Sequence, residues 1–186
     1  DLHSFPTRRS SDLEIGTIWL GTGGFGLCRY NENTEQQSLL PSTKGMRISA
    51  ICQFDNDNLL ITERSQGLFL FNKKTGAIKQ ATFLEKAGIS ISSSRLTHLI
   101  ALATPDGDIM LFNCNGRHII YRQKNGEVRE ILLQMNGEEN KGLVQDVKIR
   151  PSHATVVCNG CIYEVDYRTL LARLVFQSQD NNHAIS

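Results

Sequence analysis

The sequence predicts an all-β chain that forms part of a β-propeller, about four blades of four antiparallel strands with a 41-residue repeat and an incomplete first blade. Three observations carry this. Short apolar segments return at a fixed spacing, tight-turn residues separate them, and no long helical periodicity competes with them. The segment LCRYN at 27–31 returns as LFLFN at 68–72 and as IMLFN at 109–113, 41 residues apart each time. A preceding segment keeps the same phase: IWLGT from Ile18, LLITE from Leu59 and IALAT from Ile100. A weaker fourth copy pairs HATVV from His153 with IYEVD from Ile162, both 53 residues after their predecessors. A period of about 40–45 residues with four short strands per unit is the signature of a propeller blade.

The elements follow in order. The first unit supplies IWLGT and LCRYN but lacks an opening strand. The second is the fullest: ISAIC from Ile48, a DNDN turn at 55–58, LLITE, a Gln66-Gly67 turn, LFLFN, a Lys74-Thr75-Gly76 turn, then AIKQATF as the closing strand. Asn-Gly, Asp-Gly and Thr-Gly steps mark hairpins because these residues accept positive φ. In the third unit the stretch before IALAT has a serine-capped, helical look, which the 41-residue phase overrides. The twelve extra residues before the fourth copy are assigned to 113–142. That stretch holds an additional hairpin at Asn125-Gly126, between HIIYRQ and EVREILL, with further turns at Asn115-Gly116 and Asn136-Gly137. The expected blades are about 14–46, 47–87, 88–141 and 142–178, with a polar tail or truncation at 179–186. A blade buries its faces only against neighbours, so four units imply part of a larger ring.

Composition narrows the function classes. Of 186 residues, 40% are hydrophobic and 21% charged, which suits a folded globular chain and excludes a disordered one. The longest apolar runs fall far short of the roughly 18 residues of a membrane helix. Lys and Arg number 20 against 19 Asp and Glu, and the only basic cluster is Arg8-Arg9, so no nucleic-acid partner is expected. Residues 1–13, DLHSFPTRRSSDL, resemble the translation of a common short-read sequencing adapter and are set aside from the fold. On that reading the natural N-terminus is not visible, and the absence of a signal peptide carries no information.

Several motifs suggest chemistry and are better read as structure. GTGGFG at 21–26 matches G-x-G-x-x-G, yet a strand follows it where a dinucleotide fold needs a helix. A kinase loop would sit in a hairpin, but Cys28 stands where valine is expected, and no V-A-I-K, H-R-D or D-F-G occurs. Cys158-Asn-Gly-Cys161 could be a redox pair or half a zinc site. Its Asn-Gly centre instead reads as a two-residue turn, which sets the cysteines opposite one another in poor disulfide geometry. Cys28, Cys52 and Cys114 bring the cysteines to an odd five, against a disulfide framework. DNDN lacks the glycine and distal glutamate of a calcium loop. His98, His118, His153 and His183 are scattered, so no catalytic residue, metal site or cofactor is expected. Trp19, with Ile18 and Leu20, reads as packing between blades rather than as a sugar platform.

The stretch IWLGTGGFGLCRYN at 18–31 resembles the two-component regulator propeller repeat. The residues that carry the repeat pattern are Trp19, Gly21, Thr22, Gly26, Leu27 and Tyr30 in the first unit, then Gly67, Leu68 and Phe71 in the second. The second unit departs from the pattern, with Leu60 for the tryptophan and Thr62 for the glycine. Gly107 and Phe112 in the third unit and Gly160 and Tyr163 in the fourth retain little beyond phase and an aromatic. The resemblance implies a periplasmic sensor region of a bacterial hybrid two-component histidine kinase. Its implied partners are an oligosaccharide ligand, further propeller blades, a linked kinase module and a second copy in a homodimer. It names no ligand-binding residues. The competing expectation is a non-enzymatic propeller scaffold for protein–protein interaction.

Overall fold

The computed structural model describes residues 16–89, 99–114, 117–140 and 142–178. Four antiparallel sheets follow one another along the chain, and within each the strands lie side by side in chain order. The first holds β1 (Thr17–Gly21), β2 (Leu27–Asn31) and β3 (Gln36–Leu39). The second holds β4 (Ile48–Gln53), β5 (Asn58–Glu63), β6 (Gly67–Asn72) and β7 (Ile78–Gln80). The third holds β8 (Ile100–Ala103), β9 (Ile109–Cys114), β10 (Arg117–Arg122) and β11 (Val128–Ile131). A small hairpin, β12 (Gln134–Met135) and β13 (Glu138–Glu139), precedes the fourth sheet. That sheet holds β14 (Val144–Ile149), β15 (His153–Cys158), β16 (Cys161–Asp166) and β17 (Ala172–Gln177). This is the all-β propeller arrangement, and among the described residues the first sheet has three strands.

The two-residue period of a strand explains how the sheets stack. In β5, Leu59 and Ile61 turn toward the first sheet and Leu60 toward the third, and all three are fully buried. In β9, Ile109 and Leu111 face the second sheet while Met110 and Phe112 face the fourth. Strands apolar on both faces belong to sheets with a neighbour on each side. Three cores result, one per junction. Trp19 and Phe71 meet edge to face in the first, with ring centroids 5.5 Å apart. The second gathers Leu60, Leu68, Leu84 and Leu111, and the third gathers Phe112, Tyr121, Val156 and Tyr163.

The structure keeps the 41-residue spacing but moves its third copy by one strand. The pairs Leu20↔Cys28, Ile61↔Phe69 and Leu102↔Met110 stand 41 residues apart, so the three hairpins share one register. The first two hairpins end at equivalent places in their sheets. The third, β8–β9, opens its sheet: β8 is the edge strand among the described residues and packs against β4, the opening strand of the second sheet. The links between sheets agree. The end of β1 meets the start of β4 through Ile48 N–H to the Thr22 carbonyl, 3.0 Å. The corresponding link to the fourth sheet comes from the end of β9, where Asn113 Oδ1 accepts from Val144 N and Asn113 Nδ2 donates to the Val144 carbonyl, both 2.8 Å. Strand β9 is therefore the counterpart of β1 and β5. Ile100, Ile109, Arg117 and Val128, which open the strands of the third sheet, stand 44 residues before Val144, His153, Cys161 and Ala172.

Two local expectations change accordingly. The hairpin at Asn125-Gly126 is no addition, since β10 and β11 are the outer half of the third sheet. The extra residues instead include β12 and β13, joined through Asn136 and Gly137, both at positive φ. The closing strand of the second sheet is shorter than AIKQATF, because Phe83–Lys86 turn into one short helix, α1, that buries Leu84. The expected turn at Asn115-Gly116 and the stretch before Leu99 lie outside the described residues, as do residues 1–13 and the tail.

The frame shift is testable at two asparagines that the 41-residue phase equates, Asn72 and Asn113. Asn72 opens an exposed turn, whereas Asn113 is buried at φ 61° and joins two sheets. Asn113→Ala is expected to cost about 2–4 kcal/mol in denaturant unfolding and Asn72→Ala about 1 kcal/mol. Equal costs would return the third hairpin to the position the phase assigns it.

Candidate functional site

Antiparallel order puts the turn between first and second strands and the turn between third and fourth strands at the same end of each sheet. Polar side chains concentrate there. In the second sheet Asp57 meets Lys74 at 2.7 Å across these two turns. In the third, Asp108 accepts from Tyr121 Oη at 2.7 Å and from Lys124 N at 2.8 Å. In the fourth, Tyr167 Oη donates to the Arg150 carbonyl at 3.2 Å. Arg122 spans two sheets, its guanidinium 4.2 Å from the centroid of Phe54 and 5.3 Å from that of Phe83. Such stacking suits a guanidinium, which is less strongly hydrated than an ammonium. Burial, then the hydrogen bond to Asp108, pushes the Tyr121 phenol well above its ordinary value, so it stays neutral.

One turn recurs in three sheets. Asn31 Oδ1 accepts from the N–H groups of Asn33 and Thr34, and Asn72 Oδ1 from those of Lys74 and Thr75. Asp166 Oδ1 does the same for Arg168 and Thr169. The pattern Asn/Asp-x-x-Thr was present in the sequence and went unread. Its short polar side chain closes the turn from within.

Two concavities adjoin these turns. On the open face of the fourth sheet, Ser152, His153, Glu164, Asp166, Thr169 and Arg173 line a cleft of about 400 Å³, within the roughly 300–1,000 Å³ of small-molecule sites. Arg173 holds Glu164 at 2.6 Å, and His153 Nε2 lies 3.9 Å from the other carboxylate oxygen. Hydrogen bonding from Arg173 holds the Glu164 carboxyl below its ordinary range. On the first sheet, Arg29, Asn31, Thr34, Gln36, Gln37 and Ser38 form a smaller polar hollow of about 150 Å³. Both sets offer donors and acceptors, and in the cleft Ser152 Oγ lies 3.2 Å from His153 Nδ1.

The residues singled out from sequence mostly support packing and turns. Thr22, Phe25 and Gly26 direct their N–H groups to Gly26 O, Thr22 Oγ1 and Met46 O, so three N–H groups of the GTGGFG loop are already taken. A Cβ on Gly21 would press on the Ile48 side chain, and one on Gly26, at φ 92°, would run into the Thr43 backbone. Leu27 donates its N–H to Thr43 Oγ1 at 2.8 Å, and Tyr30 pairs with Ile18 and Gln37. Gly67, Gly107 and Gly160 hold positive φ in turns, and Leu68 fills the second junction. Phe71 faces the first sheet and Phe112 the fourth, the opposite orientation that a one-strand shift requires. The DNDN residues form a turn closed by Asp55, which accepts from the N–H groups of Asp57 and Asn58.

Cys158 and Cys161 face each other across Asn159-Gly160 and are free thiols in the third core. Burial pushes Cys158 up to about 11, so it is no thiolate nucleophile. Tyr163, beside them, accepts from Asn140 Nδ2 at 2.8 Å. His98 and His183 lie outside the described residues, and the His118 side chain is not described. Among the described residues no group of three or more His, Cys, Asp and Glu side chains is placed to hold a metal ion.

The four-sheet arrangement is similar to the extracellular domain described as that of a one component system of Bacteroides thetaiotaomicron, with TM-score 0.65 and 14% identity over 93% of this chain and 23% of that one. It is similar to virginiamycin B lyase from Staphylococcus aureus, with TM-score 0.64 and 16% identity over 91% of this chain and 54% of the lyase. A third similar structure, described as the extracellular domain of a hybrid two component system of B. thetaiotaomicron, gives TM-score 0.58 and 14% identity over 85% of this chain and 22% of that one. The chain thus spans about a quarter to a half of these proteins, and the likeness establishes the fold. No family model matches the chain, and none of the curated proteins does.

Hydrogen bonding from Thr169 holds the Asp166 carboxyl below its ordinary range, which ties the last turn to pH. A depressed carboxyl stabilises the fold above its unfolded pKa, and that stabilisation is lost as pH falls through the lower, folded value. Protection of the Arg168 and Thr169 amides from hydrogen exchange, corrected for intrinsic rates, is therefore expected to fall as pH drops below the ordinary aspartate range. Asp166→Ala should remove that dependence.

Proposed function

We propose that this chain is a ligand-sensing propeller segment of a bacterial signal-transduction receptor, acting outside the cytoplasm and linked in the intact protein to a histidine kinase. The observation that carries the reading is the propeller arc itself, with two unfilled faces at its ends. Phe176, paired with Ile162 on the outer face of the fourth sheet, is 54% exposed, and Leu39 at the first sheet is 55% exposed. Strands that are apolar on both faces need a sheet on each side, so further blades would cover these ends. Extracellular domains of two bacterial signalling systems share the fold, and each is about four times the length of this chain.

The ligand we propose is an oligosaccharide. The hollow lined by Arg29, Asn31, Thr34, Gln36, Gln37 and Ser38 presents guanidinium, amide and hydroxyl groups suited to a hydroxyl-rich molecule. The chain contributes recognition rather than catalysis. Binding would bias the kinase only through a difference in affinity between two receptor arrangements, those of a homodimer. The blades would fall at about 14–46, 47–87, 88–141 and 142–178.

Long-read sequencing through both ends of the source reading frame tests this directly. The expected result is upstream blades behind a secretory signal, and downstream a membrane helix and a histidine kinase. A reading frame that closes as a short propeller without kinase or export signal would overturn it and favour an interaction scaffold. With the full receptor in hand, a glycan array is expected to give a binder, and Arg29→Ala should weaken it about tenfold or more.

A further inference from the structure

Three sulfur-bearing side chains enter the third core, where Cys158 Sγ donates to the Gly142 carbonyl at 3.3 Å. Cys158 and Cys161 are paired residues of β15 and β16, so their side chains leave the sheet on the same face, and both are at most 1% exposed. Met135, from the inserted hairpin, sets its Sδ 3.4 Å from Cys161 Sγ. A thiol-to-thioether hydrogen bond is weak on both sides and cannot be what holds the hairpin there. Two sulfurs bonded to one ion at about 2.3 Å lie about 3.8–4.6 Å apart from tetrahedral to linear geometry, so this pair would open by a few tenths of an ångström to hold one.

The surroundings are built in the same sense. Asn140, 2% exposed, closes the inserted hairpin through its N–H to the Leu133 carbonyl at 2.8 Å. Its side chain donates to Tyr163 Oη and to the Cys158 carbonyl, and accepts from Gly142 N. The insertion is thereby clamped onto the cysteine hairpin. The Tyr163 hydroxyl lies within hydrogen-bond reach of Cys161. Met135 is half-buried.

We propose that Cys158, Cys161 and Met135 form a binding site for a soft monovalent cation, Cu(I). Thiolate and thioether donors select Cu(I), whereas zinc takes four nitrogen, oxygen and thiolate ligands. Among the described residues these cysteines have no His, Asp or Glu to complete a zinc set. Coordination displaces the thiol protons to solvent, and the ion remains Cu(I) throughout.

The test is titration of the full chain with Cu(I), held reduced by ascorbate, against a chromogenic Cu(I) chelator. One ion per chain is expected to be retained with near-ultraviolet thiolate-to-copper absorption, and Cys158→Ser/Cys161→Ser should abolish both. Met135→Leu keeps the side-chain volume, so the fold should survive, and it is expected to weaken retention about tenfold. Cys28, Cys52 and Cys114 remain in every variant and report any binding elsewhere. Equal retention by the wild type and the double cysteine variant would overturn the site, as would zinc held as tightly as Cu(I). Unchanged retention in Met135→Leu would remove the thioether from it.

Discussion

The fold depends on the burial of both faces of its inner sheets. A strand such as NLLITE has no polar face to offer water: Leu59 and Ile61 leave it on one side and Leu60 on the other. Each fully buried aliphatic side chain contributes about 1.5–3 kcal/mol relative to exposure, so the second and third sheets draw their stability from neighbours on both sides. The cores lie between sheets, and each sheet mainly fixes which residues reach which junction. A one-residue slip in any hairpin would exchange two cores at once. That is why the paired register is held so closely from the first sheet to the third.

The same logic explains what could be read from the sequence and what could not. Hairpins, turns and the 41-residue recurrence are local, written in alternation and in residues that accept positive φ, and they were legible. The position of a hairpin within its sheet is not local. LLITE with LFLFN and IALAT with IMLFN have the same period, the same apolar content and the same spacing, yet one is the middle of a sheet and the other its opening. Non-local contacts distinguish them, among them those of Asn113 with Val144, 31 residues away. Phe83–Lys86 were misread for a related reason: Leu84 is buried from a helical turn as fully as it would be from a strand.

The candidate site was less legible than the fold. The polar groups that line the two concavities come from turns whose sequence signal, Asn/Asp-x-x-Thr, recurs at Asn31 and Asn72 in the 41-residue phase and at Asp166 outside it. Turn closure consumes the asparagine or aspartate oxygen and leaves the flanking side chains, such as Arg29, Gln37 and Arg173, to face outward. Backbone geometry and recognition are thus divided between neighbouring residues. The motifs that looked most chemical, GTGGFG above all, spend their N–H groups on the hairpin and have none of those three left for a phosphate.

The third junction differs from the other two in kind, and the difference accounts for the inserted hairpin. Tyr121, Tyr163 and Tyr167 all enter that core, and a buried phenol without a partner would cost about 1–3 kcal/mol. Tyr121 finds Asp108 and Tyr167 finds the Arg150 carbonyl, both within reach of regular turns. Tyr163 stands at the middle of its strand, where the sheet supplies no side-chain donor. Asn140 comes from outside the sheet to meet it, and β12 and β13 are the means by which the chain gets there. The residues that interrupt the repeat are therefore those that make its most polar core complete, and they bring Met135 onto Cys161 as they do so.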